Sequence, residues 1–268
     1  MDNRPLGVFD SGIGGLTVVR ALHELLPNEQ LIYLGDTARV PYGNKSAETI
    51  IRYSREISRF LRSKNVKAII VACNTASAYA LTVLRAELNI PVFGVIEPGV
   101  SAALSATHNN RVGIIGTIGT INSGAYQNRL REQNPALAIT AQATPLLVPL
   151  IEEDWLEHSA TRVILDEYLW PLRLAGIDTL VLACTHYPLL KPTLTNLLGH
   201  HIALVDSAQT CARFVHEALA RDGLLSTADG EPPLEVYLTD LPVHFQKAGG
   251  RFLRKTLAHV SVVSVEDC

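Results

Sequence analysis

The sequence has little of what would mark a membrane, secreted or nucleic-acid-binding protein. Its longest apolar runs, such as Ala68–Cys73, fall far short of the ~20 residues that a bilayer span requires, so none is expected. The opening Met1-Asp-Asn-Arg-Pro-Leu6 has no apolar stretch of the kind a secretory signal carries. A formal net charge of −3 offers no strong attraction to nucleic acid or to an acidic membrane. There is no C-x-x-C pair, no low-complexity segment and no long run of charge. Without an export signal, the 4 cysteines are expected to be reduced thiols and the compartment the cytoplasm. What remains is an ordinary globular composition, 47% hydrophobic and 18% charged over 268 residues, enough for one large or two modest domains.

Apolar strand-like runs alternate with amphipathic helix-like runs, the pattern of a parallel α/β fold. Strands are expected at Leu6–Phe9, Leu31–Leu34, Ala68–Ala72, Val92–Val95, Arg111–Ile115, Thr179–Ala183, His201–Val205 and Val260–Val265. A helix over Thr49–Arg62 would place Ile50, Ile57, Phe60 and Leu61 on one face. Glu97-Pro98-Gly99 reads as a turn near a boundary, and Ser226–Pro233, polar and Pro-rich, as a surface loop. The segment Arg111-Val-Gly-Ile-Ile-Gly-Thr117 echoes the opening strand and its small-residue loop, which points to two similar halves.

Two cysteines say most about chemistry. Cys73, in Ala68-Ile-Ile-Val-Ala-Cys-Asn-Thr-Ala76, and Cys184, in Thr179-Leu-Val-Leu-Ala-Cys-Thr-His-Tyr187, each end a run that reads as a buried parallel strand. Each is followed by helix-starting polar residues, Asn74-Thr75 or Thr185. A thiol beside a helix N-terminus is expected to have a lowered pKa. Two such thiols suggest a pair of reactive groups facing one substrate across a two-fold-like cleft. Each could instead be a small buried hydrophobe, since free cysteine often is. Zinc would need ligands from elsewhere, because Cys184-Thr-His186 alone is too closely spaced. A Cys–His hydrolase would leave one thiol idle, and a disulfide does not suit the cytosol. Cys211, in a helical pattern, and Cys268, at the terminus, are assigned to structure.

Three further features bear on the site. The loop Phe9-Asp-Ser-Gly-Ile-Gly-Gly-Leu16 could bring backbone amides to an anion, but its third dinucleotide-motif position is Thr17 and Asp10 would oppose a pyrophosphate. Asp10, at the end of the first strand, faces the ligand crevice of an open α/β sheet or caps the first helix. The loop Leu34–Asn44 carries polar side chains suited to a small ligand, or is a connection in which Asp36 pairs with Arg39. His186 stands at the turn beside Cys184, as a partner of the thiol or as a hydrogen-bonded structural group.

Taken in order, Asp10-Ser-Gly-Ile-Gly-Gly15, Gly35-Asp-Thr-Ala-Arg-Val-Pro-Tyr-Gly43, Ala72-Cys-Asn-Thr-Ala-Ser77 and Ala183-Cys-Thr-His-Tyr-Pro188 resemble the glutamate racemase family of the aspartate/glutamate racemase superfamily. The resemblance implies two pseudo-symmetric parallel-sheet α/β domains with the active site in the cleft between them. Residues 1–97 with 208–268 would form the first domain and 98–207 the second. It implies racemisation without cofactor or metal, by one cysteine as thiolate base and the other as thiol acid, with D-glutamate supplied to peptidoglycan synthesis. Cys184 would deprotonate L-glutamate and Cys73 D-glutamate, with Asp10 assisting Cys73 and His186 assisting Cys184. Glu152 matches a carboxylate placed near His186. Ser11, Tyr42, Gly43, Asn74, Thr75, Thr117, Thr120 and Thr185 would bind the amino acid. A cytoplasmic homodimer acting on a small molecule, with neither nucleic acid nor membrane as partner, is the expected setting. Some members respond to a cell-wall precursor through an N-terminal extension; with only five residues before Leu6, no such activation is expected here. An aspartate racemase, a non-enzymatic amino-acid-binding protein and a thiol redox protein are the competing readings.

Overall fold

The computed structural model describes every residue except Glu231, His244, Ala258, His259, Asp267 and Cys268, so the expectation for Cys268 lies outside the described residues. The strands are β1 (Leu6–Asp10), β2 (Leu31–Gly35), β3 (Ala68–Val71), β4 (Val92–Gly94), β5 (Arg111–Gly116), β6 (Ala138–Ala143), β7 (Thr179–Ala183), β8 (Ala203–Asp206), β9 (Glu235–Leu238) and β10 (Val260–Val262). They form a six-stranded sheet in the order β10-β9-β2-β1-β3-β4 and a four-stranded sheet in the order β6-β5-β7-β8. Every described pairing is parallel. The order β2-β1-β3-β4 is thus repeated as β6-β5-β7-β8, and the two thiol-bearing strands, β3 and β7, hold equivalent places. The echo between the opening strand and Arg111–Thr117 is one of position, β1 against β5.

β1, β3 and β7 are buried at every residue, as continuous apolar runs in a covered parallel sheet should be. The helix expected over Thr49–Arg62 runs Ala47–Ser63, started by Ser46, whose hydroxyl accepts the Thr49 amide at 3.3 Å. Its Ile50, Ile57, Phe60 and Leu61 are all buried. After β8, Asp206 caps the helix Ser207–Arg221 by accepting the Ala208 amide at 2.8 Å. That helix packs back on Leu16–Leu25, the helix following β1, before β9 and β10 join the first sheet. Among the described residues no helix is long and apolar enough to cross a membrane.

The structure departs from the sequence reading in several places. β6 and β9 were not expected; β6 is an edge strand of partly exposed residues, half of them alanine, and β9 buries only Val236 and Leu238. The turn expected at Glu97–Gly99 is the first turn of a helix, Ile96–Ala106, where a proline's missing N–H has no helical partner to lose. Thr185 does not begin an α-helix. The chain makes a 3-10 turn at Tyr187–Leu190 and only then the helix Lys191–Leu198, with a proline in the first positions of each.

One buried ion pair ties the lower edge of the first sheet together. Lys67 Nζ lies 2.6 Å from Glu29 Oε2, with side-chain exposures of 0% and 2%. The ammonium also donates to the carbonyls of Asp2 and Leu224, at 2.5 and 2.7 Å, and Glu29 Oε1 accepts the Ser226 amide at 2.7 Å. Removing one partner leaves the other charge buried alone. Lys67→Met is expected to cost about 3–5 kcal/mol, and Lys67→Met with Glu29→Leu clearly less. Urea midpoints at unchanged slope check this; a single mutant no less stable than the double would contradict it.

Candidate active site

Parallel strands deliver their carboxyl ends to one rim, and the register decides which side chains meet there. Phe9 pairs with Val71, so the residues just beyond, Asp10-Ser11 and Ala72-Cys73, leave adjacent strands side by side. Cys73 Sγ lies 3.7 Å from the Ser11 hydroxyl. It also caps the helix Asn74–Glu87, accepting the Ala76 amide at 3.4 Å. That helix terminus was expected to depress the thiol's pKa, and the structure reverses this. Burial, reinforced by the Asp10 carboxylate, pushes the Cys73 thiol up to about 12 against the pull of the Ala76 amide and Ser11. Cys73 is therefore a neutral thiol at physiological pH.

Asp10 is fully buried. Its Oδ2 accepts the Gly12 amide at 3.1 Å and its Oδ1 the Thr185 hydroxyl at 3.4 Å. It does not cap the first helix, which opens at Gly15 without a side-chain cap. Burial raises its pKa, opposed by His186 and by the amides of Gly12 and Gly15. Thr17, which spoils the dinucleotide motif, donates its hydroxyl to the Thr185 carbonyl at 2.9 Å. Gly14 is required beside it: a Cβ there would stand 2.3 Å from Thr185 Oγ1 and 2.4 Å from His186 Nδ1.

In the second sheet Gly116 pairs with Ala183, so Thr117 and Cys184 emerge together just as Ser11 and Cys73 do. Cys184 Sγ faces His186 Nδ1 at 3.8 Å, and His186 Nε2 meets Glu152 Oε1 at 2.8 Å. Burial disfavours charge on the ring, but bonds to Cys184 and Glu152 outweigh it and raise the His186 pKa to about 10. An imidazolium thus lies against the Cys184 sulfur. Among the described residues no group of three or more His, Cys, Asp or Glu is arranged to hold a metal ion.

Both thiols line one cavity of about 320 Å3, the lower end of the range for small-molecule sites. Of the expected site residues, Ser11, Tyr42, Gly43, Cys73, Asn74, Thr75, Thr117, Glu152, Cys184, Thr185 and His186 line it. Asp10 and Thr120 do not; both are fully buried behind it. Thr120 shares a hydroxyl cluster with Thr75 and Thr117, each at 3.0 Å, while Thr75 and Thr117 lie 2.8 Å apart. The Tyr42 hydroxyl donates to Asp36, outside the cavity, so Tyr42 offers the cavity its ring and backbone. Asp36 also binds Arg39 Nε at 2.8 Å, the local ion pair the loop suggested.

The sequence reading missed other lining residues, among them Gly12, Pro41, Asn44, Ile118, Thr144, Pro145, Val148 and Pro149. The first four are neighbours of residues already singled out. Thr144 and Pro145 follow β6, where Ala143 pairs with Gly116, and they went unseen because that strand did.

A model of the family described as Asp/Glu/Hydantoin racemase matches residues 7–215. The glutamate racemase of Neisseria gonorrhoeae is 52% identical over 263 residues, covering 98% of this chain and 97% of that protein. The crystal structure of glutamate racemase from Francisella tularensis in complex with D-glutamate superposes with a TM-score of 0.94, at 39% identity and with all of both chains covered. Picrophilus torridus aspartate racemase, 19% identical with a TM-score of 0.57 over 81% of this chain and 94% of that one, shares the fold. With its two repeated sheets and a thiol at the equivalent strand end of each, the chain belongs to the Asp/Glu/Hydantoin racemase family.

Proposed function

We propose that the protein interconverts L- and D-glutamate without cofactor or metal, using Cys73 and Cys184 as the two acid–base groups. The observation that carries the reading is that both sulfurs line one cavity, each from the equivalent strand end of its own sheet. Half-identical relatives named glutamate racemases support the choice of substrate. The 98–207 segment and the 1–97 plus 208–268 remainder are taken as the two domains, because each sheet's strands fall within one of them. With the reading go a cytoplasmic homodimer and D-glutamate destined for peptidoglycan, as the family resemblance implies.

The groups beside the two sulfurs assign the roles. Starting from L-glutamate, the Cys184 thiolate, stabilised by the His186 imidazolium, takes the α-proton and leaves a planar carbanion. The Cys73 thiol then gives its proton to the opposite face, ending as thiolate while Cys184 ends as thiol. Starting from D-glutamate the same protons move in reverse. Asp10 acts on Cys73 through its charge, and Ser11 through the contact at 3.7 Å. The cavity's hydroxyls and amides hold the charge that develops on the carbanion.

Cys73→Ala and Cys184→Ala should each abolish racemisation, while Cys211→Ala, in a helix away from the cavity, should run near the wild-type rate. Chiral chromatography after incubation decides, and full turnover by either of the first two would refute the assignment.

Protein dialysed against EDTA and free of pyridoxal phosphate should racemise L-glutamate in D2O with deuterium incorporation, and L-aspartate far more slowly. A side chain one methylene short leaves buried donors unpaired, each costing about 1–3 kcal/mol. Comparable turnover of aspartate would move the chain to the sibling activity; activity restored only by a metal or by pyridoxal phosphate would sink the two-thiol mechanism.

The assisting groups should act with handedness. Equilibrium fixes the ratio of forward and reverse kcat/KM, so the effect must show in separate kcat values and in primary deuterium isotope effects. His186→Asn should alter the isotope effect on L-glutamate most, and Asp10→Asn that on D-glutamate. Equal changes in both directions for both variants would mean that the pairing with particular cysteines is wrong.

A further inference from the structure

The helix Phe245–Leu253 lies far along the chain from both thiols, yet two consecutive residues on it reach the Glu152–His186–Cys184 chain. Arg251 donates from Nη2 to the Glu152 carbonyl at 2.9 Å and pairs through Nη1 with Asp154. Glu152 is the last residue of the short helix Leu147–Glu152, whose Pro149, Leu150 and Ile151 carbonyls accept from the amides of Glu153, Trp155 and Asp154, while the Glu152 carbonyl accepts from the guanidinium. Asp154 leaves it in the left-handed conformation, φ 66°. A guanidinium is well suited to close such an end. Phe252 is fully buried, and its ring meets the His186 ring edge-on, centroids 5.1 Å apart at 82°. Its own carbonyl accepts from Arg20 Nη1 at 3.2 Å, tying the helix to Leu16–Leu25.

Glu152 itself is half-exposed, with 45% of its side chain open to solvent. Backbone bonds from Glu153 to Pro149, Asp154 to Ile151 and Trp155 to Leu150 hold the helix end, and the Arg251 clasp adds the side-chain bond to the residue from which the carboxylate projects. We propose that Arg251 is a positioning residue for the reaction: it holds Glu152 against His186 and thereby governs the proton transfer at Cys184, leaving the transfer at Cys73 alone. Phe252 packs edge-on against the same imidazole. The inference rests on the two-thiol reading above, in which Cys184 serves L-glutamate as base.

Arg251→Met should therefore make abstraction from L-glutamate slower relative to the other steps. The primary isotope effect with 2-deuterated L-glutamate should rise, and that with 2-deuterated D-glutamate should fall. The kcat from L-glutamate should drop on the order of tenfold, within the loss of about a hundredfold that a ~1 Å misplacement can cause. Arg251→Lys should recover most of this, and Asp154→Asn, which loosens the clasp without removing it, should shift both isotope effects the same way by less. In a Glu152→Gln background, Arg251→Met should add less than about twofold, because residues acting through one contact are not additive.

A lower rate with both isotope effects unchanged is what mere loss of folded protein produces, and it would overturn the proposal. So would a shift of equal sign for both enantiomers, or a full effect of Arg251→Met on top of Glu152→Gln. Should Arg251→Met not fold, the Asp154→Asn isotope effects decide on the same criteria. If Cys184→Ala is inactive and the Arg251 and Asp154 variants leave the isotope effects alone, the positioning role falls and the two-thiol reading stands. If Cys184→Ala remains active, the underlying reading has failed instead.

Discussion

A few hydrogen bonds hold the two sheets' loops together, and the Thr17 hydroxyl, 2.9 Å from both the Gly14 and the Thr185 carbonyls, is central among them. Thr17 Oγ1 donates to the Thr185 carbonyl at 2.9 Å, and a bond that short admits nothing between the loop after β1 and the turn after β7. Gly14 is the consequence, since any side chain there would enter the space of Thr185 and His186. So is the burial of Asp10, which reaches Thr185 from the first sheet only because the turn is held that near. On the far side of the cavity the Thr75–Thr117–Thr120 hydroxyls and the Tyr126–Asn74 bond, 2.7 Å, close the same gap. The cavity is therefore bounded on two sides by hydrogen bonds between segments that are remote in sequence, which gives it fixed walls before any ligand enters.

Within those walls the two thiols are equivalent in topology and unlike in electrostatics. Cys73 has an amide, a hydroxyl and a nearby carboxylate, and burial keeps its proton on. Cys184 has a ring whose charge is maintained by Glu152. A neutral thiol thus stands on one side of the cavity and a sulfur beside an imidazolium on the other, the asymmetry on which the proposed roles rest. A strictly symmetric pair would share one pKa and have no preferred starting state, so the proposed mechanism requires the differing surroundings of these topologically equivalent thiols.

The frame of the fold was legible because its buried strands are apolar on both faces. Ala68–Val71 and Thr179–Ala183 announce themselves, and the cysteines that end them are placed by the polar residues that follow. β6, Ala-Ile-Thr-Ala-Gln-Ala, lies at an edge and carries no such run, and with it went Thr144 and Pro145 on the cavity wall. The Asp36–Arg39 pair could be read from spacing alone, being three residues apart; that Tyr42 spends its hydroxyl on the same carboxylate could not. The pKa of Cys73 was misread for a related reason. A helix N-terminus is visible in sequence, whereas burial and the approach of Asp10 across strands are not, and in this site those two prevail. Arg251 lay beyond reach altogether, since nothing local in the sequence connects it to Glu152.

The cavity lining contains no lysine or arginine among the described residues. A dicarboxylate entering it would be received by the hydroxyls of Ser11, Thr75, Thr117 and Thr185, by the Asn74 amide, and by backbone N–H groups near the starts of Asn74–Glu87 and Ile118–Asn122. Neutral donors suit this reaction. In the proposed mechanism, preorganised hydroxyls and amides act most where charge builds up, along the carboxylate that conjugates with the carbanion. The cation the site does hold, His186, is placed against the Cys184 sulfur, where the proposed mechanism uses its charge in one half of the proton exchange.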